Sequence, residues 1–341
     1  MTNLSSMFDG LLLDLDGVVY VGPDAVPHAA ESIRLVRSSG VSCGFVTNNA
    51  SRSAEAVAEH LTSIGVPAVA HDVITSPQAA VTVLGEHVAP GSRVLVIGGS
   101  GISEALLARG YVPVRCLSDD PAAVMQGFSP DLGWRDLAEA TYAVRAGLPW
   151  IATNPDLTFP TPQGAAPGNG SLVRVVADAA GRKPDAIAGK PEPPLLQEAI
   201  ARIAARDPLM IGDRLDTDIE AGTRIGIPSL LVLTGVTTVS SLLAASPAER
   251  PAYIGIDLRV LVEPYPDVIV ERDAGWAASC RGARVEVVAG ELVATSSQVD
   301  ADALRAAAAV AWAVADAGES CRMGNLTMRL SEWVTRMQSQ E

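Results

Sequence analysis

The chain has 341 residues, 48% of them hydrophobic and 4% aromatic, and carries a formal net charge of −14. This length accommodates two or three domains of roughly 100–200 residues with aliphatic cores, while the acidic balance argues against nucleic acid or an anionic membrane as the main partner. No uncharged apolar run reaches the roughly 18 residues of a membrane span, and Met1 to Asp9 lacks the basic start and apolar run of a signal peptide.

Leu11–Leu15 is predicted as a strand buried on both faces, of the kind found in parallel sheets. Asp14 and Asp16 stand at its end, followed by Gly17. Two carboxylates at the tip of a dry strand are costly unless something compensates them, and a bound cation does so. In open α/β sheets, ligands sit at the carboxyl ends of strands. A helix is predicted over His28–Ser39, stopped by Gly40, then a strand over Val41–Val46 ending in Thr47-Asn48-Asn49. A second helix, Ser53–Ile64, and a short strand, Val73–Thr75, complete a βαβαβ start that predicts a parallel sheet.

The rhythm then restarts. Arg93–Ile97 is a predicted strand, Gly98-Gly99-Ser100-Gly101 a tight turn and Ile102–Arg109 a helix. The strand Trp150–Thr153 precedes a loop rich in Pro, Gly and Asn from Asn154 to Gly170, and Leu172–Ala180 is a helix. From Gly189 the first rhythm returns, with helix Pro194–Ala204, strand Leu209–Ile211, helix Asp218–Ile225 and strand Ser229–Val232. A second α/β domain, residues 77–187, is thus expected to be inserted into the first. Towards the C-terminus, Arg284–Val288 and Leu292–Thr295 suggest a hairpin around Ala289-Gly290-Glu291, and Ala301–Ala315 an Ala-rich helix stopped near Gly318. Cys43, Cys116, Cys280 and Cys321 show no pairing or metal-binding spacing and are expected to be reduced thiols of a cytoplasmic protein. The four histidines show no ligand spacing either.

A strand-end carboxylate such as Asp14 can attack an electrophilic phosphorus. A second acid two positions on, Asp16, can protonate the leaving oxygen and then activate water. Taken singly, each segment also has a plain reading. Asp16-Gly17 fits an ordinary turn, Thr47-Asn48 a helix cap, Lys190 a solvated lysine and Asp218 the cap of its helix. Asp213, again at the tip of an apolar strand, calls for a cation.

Taken together, Leu-Leu-Asp14-Leu-Asp16-Gly17, Thr47-Asn48-Asn49, Gly189-Lys190-Pro191 and Gly212-Asp213 with Asp218 resemble the haloacid dehalogenase superfamily of phosphotransferases, in order and in strand–loop context, over nearly all of residues 8–255. The resemblance implies an α/β fold with a Rossmann-like parallel-sheet core (1–76 and 188–255), an inserted α/β cap that sets specificity (77–187) and a small α+β C-terminal extension (256–341). It implies that Asp14 is the nucleophile, Asp16 the general acid/base with its backbone carbonyl on the metal, and Asp213 the residue that completes a Mg²⁺ site with Asp14. Asp218 would support that site, while Thr47, Asn48 and Lys190 would hold the phosphoryl group. Oxygen ligands and a substrate phosphate suit Mg²⁺, and Lys190 supplies a local cation that the acidic chain otherwise lacks.

The position of the cap resembles the subfamily containing nitrophenylphosphatase-like, phosphoglycolate and glycerol-phosphate phosphatases. Asn154-Pro155-Asp156 and Pro167-Gly168-Asn169-Gly170-Ser171 look like its cap signatures, with plain loop chemistry as the alternative. Two weaker signals are discounted. The glycines after Ile97 fail the G-x-G-x-x-G spacing, and Arg272–Ala277 formally fits an acyl-CoA loop in a tail too short for a whole acetyltransferase. That tail nevertheless resembles the acetyltransferase-like one of actinobacterial glycerol-3-phosphate phosphatases. The expected activity is Mg²⁺-dependent phosphomonoester hydrolysis of a small phosphorylated metabolite, with glycerol 3-phosphate first and phosphoglycolate or another sugar or aryl phosphate second. A non-catalytic scaffold is the rival from another class. Self-association as a homo-oligomer is left open.

Overall fold

The computed structural model describes residues 3–339 except 162 and 274. The chain divides into two compact units. One comprises Met1–Cys43, Ile64–Val66 and Ala205–Glu341, the other Gly44–Ser63 and Pro67–Ala204. Compactness thus groups residues differently from the chain-order division into core, cap and extension.

The first unit is built on parallel strands in the order Tyr253–Gly255, Ser229–Val232, Pro208–Gly212 and Gly10–Asp14. Leu11 pairs with Leu209 and Leu13 with Ile211. Every residue of Gly10–Asp14 and Pro208–Gly212 is buried, which is why both segments are apolar without alternation. Asp14 is the last residue of its strand, and Asp213 follows the last residue of the neighbouring one. The helix expected from Asp218 instead opens with a π-helical turn, Leu215–Ile219, before the α-helix Glu220–Ile225. The N–H groups of Asp218 and Ile219 both donate to the Arg214 carbonyl, at 3.1 and 3.2 Å, and this widens the turn.

The same unit carries the C-terminal extension. Strands Val268–Glu271, Ala277–Cys280, Ala283–Val288 and Glu291–Ala294 form an antiparallel sheet, followed by helices Ala301–Asp316 and Gly324–Gln338. The predicted hairpin turns on Ala289 (φ 52°) and Gly290 (φ 75°), both left-handed, as a two-residue turn requires. The side chain of Asp300 caps the first helix, accepting from the Ala303 N–H at 2.9 Å. One hydrophobic cluster runs from Leu231, Leu233 and Leu242 through Ala278 and Val285 to Leu304, Leu330 and Val334. The expected acyl-CoA loop is described except at Ala274.

In the second unit, strand Ser42–Thr47, which begins in the first unit, runs parallel to Val73–Thr75 with Thr47 opposite Thr75. A five-stranded parallel sheet has the order Ala186–Ile187, Trp150–Ala152, Ala123–Gln126, Arg93–Ile97 and Val112–Val114. Helices Trp134–Arg145 and Asn169–Ala180 cover it around buried Trp150, Val144 and Val176. The glycine-rich turn after Ile97 is a packing device: a Cβ on Gly101 would lie 2.8 Å from the Ala50 carbonyl oxygen. Among the described residues no cysteine forms a disulfide, and no helix is long and apolar enough to cross a membrane.

Candidate active site

Two residue clusters form at strand ends, one in each unit. In the first unit, carboxylate oxygens of Asp14, Asp213 and Asp218 all lie within 4.8 Å of one another. Asp213 and Asp218 are each 1% exposed and Asp14 9%. The backbone is shaped around these carboxylates. The Val236 N–H donates to Asp213 Oδ2 at 2.7 Å, and the Arg214 N–H donates to Asp218 Oδ2 at 3.1 Å. Three glycines leave room for them. A Cβ on Gly17 would stand 2.6 Å from Asp213 Oδ2, one on Gly235 2.0 Å from the same atom, and one on Gly212 2.4 Å from Asp218 Oδ2. Gly17 also needs its left-handed φ of 86°. An all-oxygen, acidic, buried donor set of this kind fits a hard divalent cation such as Mg²⁺.

Asp16 lies apart from that trio. The N–H groups of Val18, Val19 and Tyr20 all turn back onto the Leu15 carbonyl, at 3.3, 2.9 and 3.1 Å. This tight loop leaves Asp16 exposed while its neighbours are buried. The Thr234 hydroxyl donates to the Gly17 carbonyl and fixes the loop from the next strand end.

The second unit gathers the remaining expected residues around Asn48. Its Nδ2 donates to the Lys190 carbonyl at 2.9 Å and to Asp156 Oδ1 at 3.1 Å, and its Oδ1 accepts from the Lys190 N–H at 2.8 Å. The Asn48 carbonyl in turn accepts from Asn154 Nδ2 and from the Ser76 hydroxyl, both at 2.7 Å. Asn169 Nδ2 donates to the Asn154 carbonyl at 2.8 Å, and the Gly170 N–H to the Asp156 carbonyl at 2.8 Å. Side chains on Gly168 and Gly170 would collide with backbone, since a Cβ would meet the Asp156 carbonyl oxygen at 2.3 Å and the Pro155 carbonyl oxygen at 2.0 Å. Thr47 is 3% exposed and its Oγ1 accepts from the Asn49 N–H at 3.0 Å. Lys190 is 1% exposed, so protein groups replace the hydration of its ammonium.

Ser76, Thr234, Gly235 and Val236 are additions that the motifs do not contain. Thr234-Gly235 follows the apolar strand Ser229–Val232, the same signal of polar residues after an apolar run that marks Asp14 and Asp213.

Known proteins resemble the chain over most of its length. The haloacid dehalogenase-like hydrolase family matches residues 11–112, and a HAD-hydrolase-like family matches residues 187–261. The D-glycerol 3-phosphate phosphatase of Mycobacterium tuberculosis is 45% identical over 317 residues, covering 93% of this chain and 88% of that protein. The chain belongs to the haloacid dehalogenase-like hydrolase family. Within that family, the crystal structure of the M. tuberculosis glycerol phosphate phosphatase in complex with magnesium superposes with a TM-score of 0.84 at 39% identity, covering 99% of each chain. An acid sugar phosphatase of Staphylococcus saprophyticus is 36% identical over 260 residues, 75% of this chain and 97% of that protein. The haloacid dehalogenase resemblance of the four motifs is therefore borne out at the level of family.

Proposed function

We propose that the protein is a Mg²⁺-dependent phosphomonoester phosphatase that works through an aspartyl-phosphate on a small phosphorylated metabolite. Glycerol 3-phosphate is the first candidate substrate. The observation that carries this reading is the clustering of Asp14 with Asp213 and Asp218 at two adjacent strand ends. Similarity to the M. tuberculosis phosphatase over most of both chains supports the substrate class.

In this reading Asp14 attacks the phosphorus. A bond forms between its carboxylate oxygen and phosphorus, the ester P–O bond breaks, and Asp16 gives its proton to the departing alcohol. Asp16, now a carboxylate, takes a proton from water, whose oxygen attacks the same phosphorus. Inorganic phosphate leaves and Asp14 is regenerated. Asp14 and Asp213, with the Asp16 backbone carbonyl, would hold Mg²⁺, and Asp218 would support them. The ion supplies positive charge against the phosphoryl oxygens. Thr47, Asn48 and Lys190 bind the phosphoryl group, the lysine bringing a fixed positive charge. Asn154, Asp156, Gly168, Asn169 and Gly170 act on specificity, bonded as they are to the loop that carries Asn48 and through it to the separate loop that carries Lys190. We place the enzyme in the cytoplasm, in keeping with cysteines that form no disulfide among the described residues.

Hydrolysis of p-nitrophenyl phosphate tests the chemistry. Turnover should require Mg²⁺, stop with EDTA and vanish in Asp14→Asn, and equal turnover in that variant removes Asp14 as nucleophile. A panel of glycerol 3-phosphate, phosphoglycolate and sugar phosphates, ranked by kcat/KM, tests the substrate. The acid sugar phosphatase relative makes sugar phosphates the second reading.

A further inference from the structure

We propose that the C-terminal extension acts as a positioning module for the metal site, through Gln338 and Trp312, which clamp the two ends of segment 233–243. The proposal rests on the reading of Asp213 as a Mg²⁺ ligand and gives the extension a part in the reaction.

The middle of that segment touches the carboxylate site. The Val236 N–H donates to Asp213 Oδ2 at 2.7 Å, and the Thr237 N–H to the Asp213 carbonyl at 3.2 Å. Thr234 donates to the carbonyl of Gly17, and Gly235 packs against the Asp213 carboxylate with no space for a side chain. The segment therefore sets where Asp213 Oδ2 stands.

Its ends are held by the extension. At the start, Gln338 on the last helix donates from Nε2 to the Leu233 carbonyl. At the far end, Trp312 on helix Ala301–Asp316 donates from Nε1 to the Leu242 carbonyl at 3.0 Å. That carbonyl lies in the last turn of helix Val239–Leu243 and also accepts from the Ala245 N–H at 3.2 Å, so Trp312 braces the end of the helix from outside. Arg250 stacks its guanidinium over the Trp312 ring at 5.7 Å and pairs with Asp316 at 2.7 Å, which orients the indole. Between the two clamps, Leu233, Val239, Leu242 and Leu243 share one hydrophobic cluster with Leu304, Leu330 and Val334 of the extension. The extension is thus packed along the back of the segment whose front holds Asp213.

The test uses Trp312→Phe, which keeps an aromatic body without the donor, and Gln338→Glu, which keeps the shape and replaces the donor with an acceptor. Both are made in the full-length chain, singly and together. Mg²⁺ affinity is read from the rise of Tm with Mg²⁺ concentration, and loop order from hydrogen exchange of residues 233–243 in EDTA. We expect each single variant to weaken Mg²⁺ binding about threefold and the double variant about tenfold, the lower end of the effect of removing a group that orients a metal ligand. Exchange in the segment should accelerate by a similar factor, with the Tm in EDTA within about 2 °C of wild type. Gln338→Arg, which restores a donor, should recover wild-type affinity. A double variant with unchanged Mg²⁺ affinity and unchanged exchange overturns the proposal. So does a loss of affinity that merely tracks a fall in the metal-free Tm. If wild type itself shows no Mg²⁺-dependent rise in Tm, the assignment of the metal site fails, and the exchange data then report separately whether the clamp exists.

Discussion

Gly235→Ala adds a single methyl group beside the carboxylate expected to matter most. Its Cβ would lie 2.0 Å from Asp213 Oδ2, 2.5 Å from Cγ and 2.8 Å from Cβ. Uncrowded carbon contacts begin at about 3.5 Å, so one partner must retreat by more than about 1 Å. Asp213 has little room to do so. It is 1% exposed, its Oδ2 is bound by the Val236 N–H at 2.7 Å, and Gly17 closes the other side. Displacing a ligand by about 1 Å costs on the order of 100-fold in turnover, and the overpacking itself about 1–3 kcal/mol. We expect Gly235→Ala to lose at least that factor in kcat/KM for p-nitrophenyl phosphate and to need more Mg²⁺ for half-saturation. Gly282→Ala serves as control, because a Cβ there meets nothing within 4 Å. Wild-type kcat and Mg²⁺ half-saturation in Gly235→Ala would mean that the position of Asp213 does not govern the reaction.

Asn48→Ala removes three side-chain hydrogen bonds, two to the Lys190 backbone and one to Asp156. It should cost about 1–3 kcal/mol in a urea titration, because buried partners lose their bonds, and should raise KM more than it lowers kcat. Asp9 is held below its ordinary value of 3.8, chiefly by the Arg206 and Asp207 N–H groups that donate to its carboxylate. A depressed folded pKa stabilises the fold above the unfolded value and loses that contribution as pH falls through the folded one. Asp9→Asn should therefore be less stable than wild type at pH 7, with the gap in urea midpoint closing below pH 3.8; a gap that widens in acid contradicts the assignment.

The residues legible in the sequence are those whose signal is local. Asp14 and Asp213 stand out because charge follows an apolar run at once, and burial of both strands confirms what the missing alternation implied. The links among Asn48, Asp156 and Lys190 span 108 and 142 positions, so spacing cannot reveal them before the topology is known. Gly235 looks like any turn glycine, and only the Asp213 carboxylate makes it necessary. Strand Ala277–Cys280 consists of small residues with little β propensity and is held by its neighbours in the sheet and by the cluster beneath it. The last helix buries Leu326, Leu330 and Val334 at i, i+4 and i+8, an amphipathic spacing that the sequence reading passed over. Helix Trp134–Arg145 does bury Ala140, Ala143 and Val144, but exposed Trp134 and Tyr142 blur the polar face.

The same clustering that suits a cation should weaken the protein without one. Two unit charges no more than 4.8 Å apart repel by at least about 3 kcal/mol at an effective dielectric near 20. Asp14 faces two such neighbours, so neutralising it removes its repulsion with both. Asp14→Asn keeps the shape and a polar group. Its Tm in EDTA should rise above that of wild type by the equivalent of about 1–3 kcal/mol, a fraction of the bare repulsion after solvent screening. The increment added by Mg²⁺ should shrink in the same variant, because one charged ligand is gone. Activity and metal-free stability would then move in opposite directions at one atom, as expected where function keeps a costly arrangement in place. Thermal scans of wild type and variant, each with EDTA and with Mg²⁺, give all four values. If Asp14→Asn melts below wild type in EDTA, the carboxylates do not repel one another, and cations on the protein itself must already neutralise the cluster.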